Sequence, residues 1–381
     1  MSSFARTDTS ILSQWWWTVD RWILGAASAL IVFGILMSFA ASPAYAERMG
    51  FETYLFVRKH FIFLPAAIIL MIGMSTLSVR NIRRVALAVF LLSVLGIIAT
   101  LLFGAERNGA QRWISVAGMS LQPSEFLKPA LVIVMAWMFA EQNRGSGVPG
   151  YWIACGLWAG AVLLLMAQPD FGQTVLLTAT FGVMFFVSGM PRILIVMSGA
   201  VMALGTMLAY MFVPHVTNRI DRFLNPASGD NYQVDKAVDA FSRGGLLGQG
   251  PGEGEVKRVL PDAHTDYIFA VVGEEFGGIV CLLLVGLFAF IVLRGLARVF
   301  VSEDNFVQIA AFGLIFLFGM QAAINMGVSL DLLPSKGMTL PFISYGGSSL
   351  LAVSLTVGML LALLRKRAGI GIGGVSVGRG E

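Results

Sequence analysis

The residues best suited to chemistry in this sequence are acids placed where an apolar chain has little use for them. His264-Thr265-Asp266 leads directly into a long apolar run that carries Glu274 and Glu275 eight and nine residues after the aspartate. A carboxylate at the mouth of a partly desolvated cavity has its pKa raised toward neutrality and can take a proton as general base. Asp266 also fits a helix N-cap or first-turn acid facing the positive end of a helix dipole; spacing alone leaves both readings open. Glu274 and Glu275 would lie roughly 12 to 13 Å deeper along a straight helix. Each costs about 2.5 to 3.5 kcal/mol at the centre of a membrane helix, so each needs a basic partner. Adjacent residues point to different sides of a helix, and Lys128 is the expected partner.

Glu125 and Lys128 stand at i and i+3, on one face of a helix. They form either a self-neutralising pair or a lysine that meets the phosphate of an anionic lipid while Glu125 holds it. Arg112, followed by Trp113, reads as an interfacial anchor or as a bidentate clamp for pyrophosphate. Ser344 and Ser348, in the run Ser-Tyr-Gly-Gly-Ser-Ser, line a polar cavity or serve helix packing. Cys155 and Cys281 fall in apolar runs, and His60 and His215 stand alone, so none has metal-ligand spacing. Gly273-x-x-x-Gly277 reads as a close helix contact. The dense glycines from Gly244 to Gly254 permit close backbone approach but match no phosphate-loop pattern.

The elements that must position these groups are membrane helices. Of 381 residues, 57% are hydrophobic and 13% charged, and the mean hydropathy is +0.79. That composition is too apolar for a soluble core. Apolar stretches of about 20 residues, the length of one bilayer crossing, fall near 22–42, 61–79, 85–104, 124–141, 152–168, 170–189, 192–213, 267–293, 305–327 and 341–364. The fold class is therefore all-α and polytopic, with about ten transmembrane helices. With the N-terminus inside, the cytoplasmic segments collect 13 basic residues against six in the short loops of the other face, which predicts that both termini are cytoplasmic. A tail at 1–21, a membrane domain at 22–364 and a tail at 365–381 follow, with one long loop on the outer face at about 214–266. Ala44-Tyr45-Ala46 has the small-x-small pattern of a cleavage site, but the preceding run is long enough to be an uncleaved anchor. Within the long loop, Val234, Ala237, Val238 and Phe241 recur at helical spacing and predict an amphipathic helix at the membrane surface. No basic run suggests nucleic-acid binding.

Five strings, in order along most of the chain, carry a resemblance: Arg-Trp-Ile at 112–114, Gln-Pro-Ser-Glu-Phe-Leu-Lys-Pro at 122–129, Gln-Pro-Asp-Phe-Gly at 168–172, Leu-Pro-Asp-Ala-His-Thr-Asp-Tyr-Ile-Phe-Ala at 260–270 and Pro-Phe-Ile-Ser-Tyr-Gly-Gly-Ser-Ser at 341–349. They resemble the SEDS family of shape, elongation, division and sporulation proteins. The stretch Gly250-Pro-Gly-Glu-Gly254 followed by Lys257 is most similar to the division branch of alphaproteobacteria. One visible departure is Tyr267, where many members have Phe.

The resemblance implies a peptidoglycan glycosyltransferase that polymerises lipid II at the outer face of the bacterial inner membrane, at the division septum. By the same resemblance Asp266 is the essential acid of the His-Thr-Asp motif, and Glu125 and Lys128 are the family's charged pair. Arg112, Glu125, Lys128, His264, Ser344 and Ser348 are expected to bind substrate. No cofactor is fixed, and a divalent cation, Mg or Mn, is left open at the leaving pyrophosphate. Expected partners are lipid II and nascent glycan, a class B penicillin-binding protein that supplies cross-linking, other division membrane proteins and membrane lipids. Two other functions compete: a flippase for lipid II, and a scaffold that only recruits a transpeptidase. Transporters carry internal repeats and midplane charges, whereas here the charges cluster toward the outer face, which favours the enzyme.

Overall fold

The computed structural model describes residues 10–104, 111–116, 119–189, 232–334 and 337–365, with isolated positions between 193 and 221. Nine of the ten expected spans coincide with helices among these residues. The span at 192–213, apart from isolated positions, together with His215, Lys336 and the tail from 366, lies outside the described residues.

A short helix α1 (Ile11–Thr18) falls inside the expected N-terminal tail and is followed by α2 (Arg21–Arg48), α3 (Leu55–Thr76) and α4 (Val79–Phe103). A hairpin of β1 (Ile114–Val116) and β2 (Met119–Leu121) then leads into α5 (Pro123–Asn143), α6 (Gly150–Ala167) and α7 (Phe171–Val187). After the sparsely described region come α8 (Tyr232–Gly244), α9 (Val256–Val259), α10 (Ile268–Val299), α11 (Asn305–Ser329) and α12 (Gly347–Leu363). Among the described residues, seven helices, α2 to α6, α10 and α11, are long and apolar enough to cross a bilayer. Several start at a side chain that accepts the otherwise unpaired first N–H groups: Asp20 for α2, Ser78 for α4, Asp170 for α7 and Asp304 for α11.

Helix α5 forms the centre. Its Leu127, Leu131, Met135 and Phe139 are fully buried, and it packs against α4, α6, α11 and α12. A helix apolar all round is an interior helix. Leu92, Leu95 and Leu102 of α4 and Leu163 of α6 face outward, as lipid-facing side chains do. The β1–β2 hairpin pairs Ile114 with Leu121 and Ser115 with Ser120. No strand was expected here; the hairpin delivers Gln122 to the start of α5.

Three expectations are corrected. Helix α8 forms, but its apolar stripe is partly covered by protein: Ala237 is buried and Phe241 meets Phe269 of α10 at 5.7 Å between ring centroids, while Val238 stays exposed. The expected eighth span is not one continuous helix, because α10 breaks at Gly277 (φ 79°, ψ 176°). The tenth begins only at Gly347. The preceding segment, 337–346, is irregular yet buried at Met338, Leu340, Phe342 and Ile343. Irregular backbone at membrane depth is tolerated where protein satisfies its polar groups, and here side chains of α11 and Ser344 do so.

Candidate functional site

Helix α5 opens on Gln122-Pro123-Ser124-Glu125. Proline at the first helical position costs no hydrogen bond, and Glu125 in the first turn suits the positive end of the helix dipole. One turn on, Lys128 is buried, with its ammonium 2.9 Å from Glu125 Oε2. It also donates to Gln321 Oε1 of α11 at 3.3 Å. Glu125 Oε1 in turn accepts from Gln173 Nε2 of α7 at 2.8 Å. The pair is thus intrahelical and bonded on both flanks, which a buried ion pair requires to offset desolvation.

Lys128 does not meet Glu274 or Glu275, contrary to the sequence expectation. Both acids of α10 instead hold the glycine-rich segment. Glu274 accepts backbone N–H groups from Glu255 at 2.7 Å, Val256 at 2.8 Å and Lys257 at 3.3 Å. Glu275 pairs with the ammonium of Lys257 and accepts the Gly252 N–H at 3.0 Å. Neighbouring acids do serve one segment, because that segment wraps around the helix between them.

Asp266 lies two residues ahead of α10, in a turn where Thr265, Asp266 and Tyr267 all donate N–H to the Asp262 carbonyl at 3.0 to 3.2 Å. The cap position of α10 falls to Tyr267. Asn325 of α11 donates to the Asp266 carbonyl at 2.9 Å and to the Met338 carbonyl at 2.6 Å. One turn earlier on the same face, Gln321 reaches the Thr339 carbonyl at 3.1 Å while accepting from Lys128. Asp266 and the Lys128 pair are therefore braced against one strip of irregular backbone, at contacts one α11 turn apart. A β-carbon at Gly337 would stand 3.5 Å from Asp266 Oδ2, so the carboxylate faces that strip.

Ser344 braces the same strip, and Ser348 ties the first turn of α12 to the start of α5. Ser344 Oγ accepts the Leu340 N–H at 2.7 Å and donates to the Thr265 carbonyl at 2.6 Å. Ser348 Oγ accepts the Gln122 N–H at 2.9 Å. His264 is buried against Tyr45, with ring centroids 3.9 Å apart, and near Phe56 and Tyr345. Burial in this aromatic nest pushes the imidazole pKa down to about 4, and its carbonyl receives the Tyr345 N–H at 2.9 Å. Arg112 donates to the carbonyls of Gln168, at 2.9 Å, and Pro169, and lies 3.8 Å from Asp170 Oδ2. Its guanidinium clasps the turn between α6 and α7.

Sequence reasoning missed Gln321, Asn325, Gln173 and Thr339. The signal existed for two of them: Gln321, Asn325 and Ser329 recur every four residues inside an apolar helix, a stripe that membrane burial makes expensive without a local role. Among the described residues no three His, Cys, Asp or Glu side chains converge on a metal position. A divalent cation shared between one carboxylate and a substrate's own phosphates needs no such cluster.

The site and helix order define a class of polytopic membrane protein built around a polar strip at one end of the helices. Residues 20–369 match the model of the FtsW/RodA/SpoVE family, described as cell cycle protein, and the chain belongs to that family. It is 50% identical over 96% of its length to the probable peptidoglycan glycosyltransferase FtsW of Caulobacter vibrioides, of which it covers 94%. It is 35% identical over 90% of its length to the same-named protein of Trichlorobacter lovleyi, covering 92% of it. Among solved structures, a chain described under structural coordination of polymerization and crosslinking by a peptidoglycan synthase complex superimposes with TM-score 0.75 at 25% identity, covering 91% of this chain and 97% of that one. The rod shape determining protein RodA of Thermus thermophilus has the same fold, with TM-score 0.65 at 24% identity over 92% of this chain and 97% of its own.

Proposed function

We propose that this chain is the peptidoglycan glycosyltransferase of septal wall synthesis, polymerising lipid II at the outer face of the inner membrane with Asp266 as general base. The observation that carries the reading is the shared strip: Asp266 and the Glu125–Lys128 pair are fixed on one irregular segment by Asn325 and Gln321. In the reaction the C4 hydroxyl of an acceptor GlcNAc attacks C1 of a donor MurNAc. The C1–O bond to pyrophosphate breaks, its electron pair leaves with polyprenyl pyrophosphate, and the hydroxyl proton passes to Asp266. Such a base is worth about 10² to 10⁴ in rate. Lys128 supplies positive charge toward the leaving pyrophosphate. Arg112, His264, Ser344 and Ser348 hold the surrounding turns through the bonds given above. The cross-linking partner is a class B penicillin-binding protein, a reading supported by the likeness to a chain from a polymerising and cross-linking complex.

The test is polymerisation of purified lipid II by this protein with its penicillin-binding partner, wild type against Asp266→Asn. Wild type is expected to make glycan strands, and the variant, folded and still partner-bound, to lose at least a hundredfold in kcat. Retained polymerisation by Asp266→Asn removes the aspartate from the chemistry. Transfer of lipid II across vesicles by both proteins, without strands, replaces the enzyme by a flippase.

A further inference from the structure

The break in α10 is filled by the glycine-rich segment. Gly277 ends the first half-helix, leaving carbonyls before it and N–H groups after it without helical partners. Gln249 and Gly250 donate N–H to the carbonyls of Glu274 and Glu275, each at 3.0 Å, while Gly278 and Ile279 donate to the carbonyls of Gly245 and Leu246, at 2.9 and 3.2 Å. A β-carbon at Gly248 would stand 2.2 Å from the Glu275 carbonyl oxygen, so this approach is open only to glycine there. The strap from α8 to α9 is thus stitched into the broken helix. Its turn leaves two large apolar side chains outward, Leu246 at 72% and Leu247 at 82% exposure.

The depth of that turn follows from the far end of α10. Arg294 and Arg298 both bond Asp20, the cap of α2, and mark the inner edge of the hydrocarbon. From Gly278 to Leu293 there are about 16 residues, a rise of roughly 24 Å. The hydrocarbon is about 30 Å thick. Its outer edge therefore lies beyond Gly278, by about 6 Å, and any tilt of α10 sinks Gly278 further. The bond from Ile279 to Leu246 places the leucine doublet level with Ile279, where the outward apolar face of α10 begins and continues through Leu282 and Leu283. A turn can enter lipid where its backbone is paired internally, and here the N–H groups of Gly245, Gly248, Gln249 and Gly250 and the carbonyls of Gly244, Gly245 and Leu246 are paired.

We propose that Leu246-Leu247 is a membrane anchor: the strap of the extracytoplasmic loop dips into the outer leaflet and seats this doublet among lipid acyl chains, in continuity with the lipid-facing surface of α10. The partner is lipid. The same strap runs through Lys257 to the turn that carries Asp266, so the anchor fixes the height of that turn over the bilayer.

Leu247→Cys and, as reference, Glu253→Cys on the exposed part of the loop are made with Cys155→Ala and Cys281→Ala, labelled with a polarity-sensitive fluorophore and reconstituted in nanodiscs. Lipids brominated high on the acyl chain are expected to quench the label at 247 by half or more, and aqueous iodide at least fivefold less efficiently there than at 253. Equal iodide quenching at the two positions overturns the proposal. So does shielding at 247 that arises only when the penicillin-binding partner is added, which makes the doublet a protein contact. Thiol reactivity of unlabelled Leu247→Cys toward a water-soluble maleimide repeats the test without a fluorophore: at least tenfold slower than at 253 supports the anchor, and equal rates refute it.

Discussion

At the residue scale the buried Glu125–Lys128 pair behaves as a unit. Removing one partner leaves an uncompensated charge with its counter-ion gone, which costs roughly 3 to 5 kcal/mol in a buried setting. Glu125→Gln and Lys128→Met are each expected to lower the melting midpoint in detergent sharply, while the double variant recovers part of the loss. Additive losses in thermal unfolding would show that the two charges are not coupled. His264 gives a pH signature. The folded imidazole, at about 4, takes its proton later than the unfolded one at 6.5 as pH falls, so stability is full above 6.5 and is lost between 6.5 and about 4, by up to roughly 3 kcal/mol. His264→Phe, which keeps a ring against Tyr45, is expected to flatten melting curves across that window. Asp266 stood out through the resemblance of its His-Thr-Asp string, while its position before an apolar run left a helix cap equally open, and its backbone support was not legible at all. Asn325 lies 59 residues away, and the Gln321–Asn325 stripe gains meaning only when the segment at 337–344 folds against it.

At the element scale the sequence located nine of the described helices because each holds a sustained apolar run, whereas the break in α10 was hidden inside such a run. Apolar composition reports that a segment can enter lipid, not that its hydrogen bonds continue. The bonds that replace them come from Gly245, Leu246, Gln249 and Gly250, about 30 residues upstream, and such partners leave no local period. The same holds for the late start of α12, where the run from Pro341 is apolar but its N–H groups at Ile343, Ser344 and Tyr345 go to the carbonyls of Leu340 and His264. Gly248, at φ 80° and against the Glu275 carbonyl, tests the strap. Gly248→Ala combines a left-handed backbone with a clash and is expected to cost at least about 2 kcal/mol. Its particular readout is hydrogen exchange: the Gly278 and Ile279 amides, which donate to the strap, should lose protection before those of α11. Glu253→Ala, on the exposed part of the same loop, is expected to change stability by less than about 0.5 kcal/mol. Unchanged protection at Gly278 in Gly248→Ala would detach the strap from the integrity of α10.

At the scale of the whole molecule the two ends of the helices do different work. One set of ends carries the strip with Asp266, Lys128 and Ser344. The opposite ends are tied by charge: Asp20 receives Arg294 at 3.1 Å and Arg298 at 2.8 Å, and Arg365 donates to Thr18 Oγ1 and to the Thr76 carbonyl. Burial alone would raise the Asp20 carboxyl, but the hydrogen bonds from Arg298, Arg294 and the Ile23 N–H outweigh it and hold the pKa below the ordinary carboxylate range. Asp20 thus contributes stability that is present above the unfolded value of 3.8 and is lost as pH falls through the folded pKa. Asp20→Asn removes that charge while the amide oxygen can still cap α2, and about 2 kcal/mol is expected to disappear. Because the clasp joins α2 and α10 at the face opposite Asp266, kcat measured below the new midpoint should stay within twofold of wild type. Asp266→Asn is expected to invert the pattern, with the midpoint kept and turnover lost. Stability and turnover measured on both variants decide whether the faces are separable: parallel losses in Asp20→Asn would mean that the helices transmit strain from end to end, and that the Asp20 clasp helps to set the geometry of the Asp266 site.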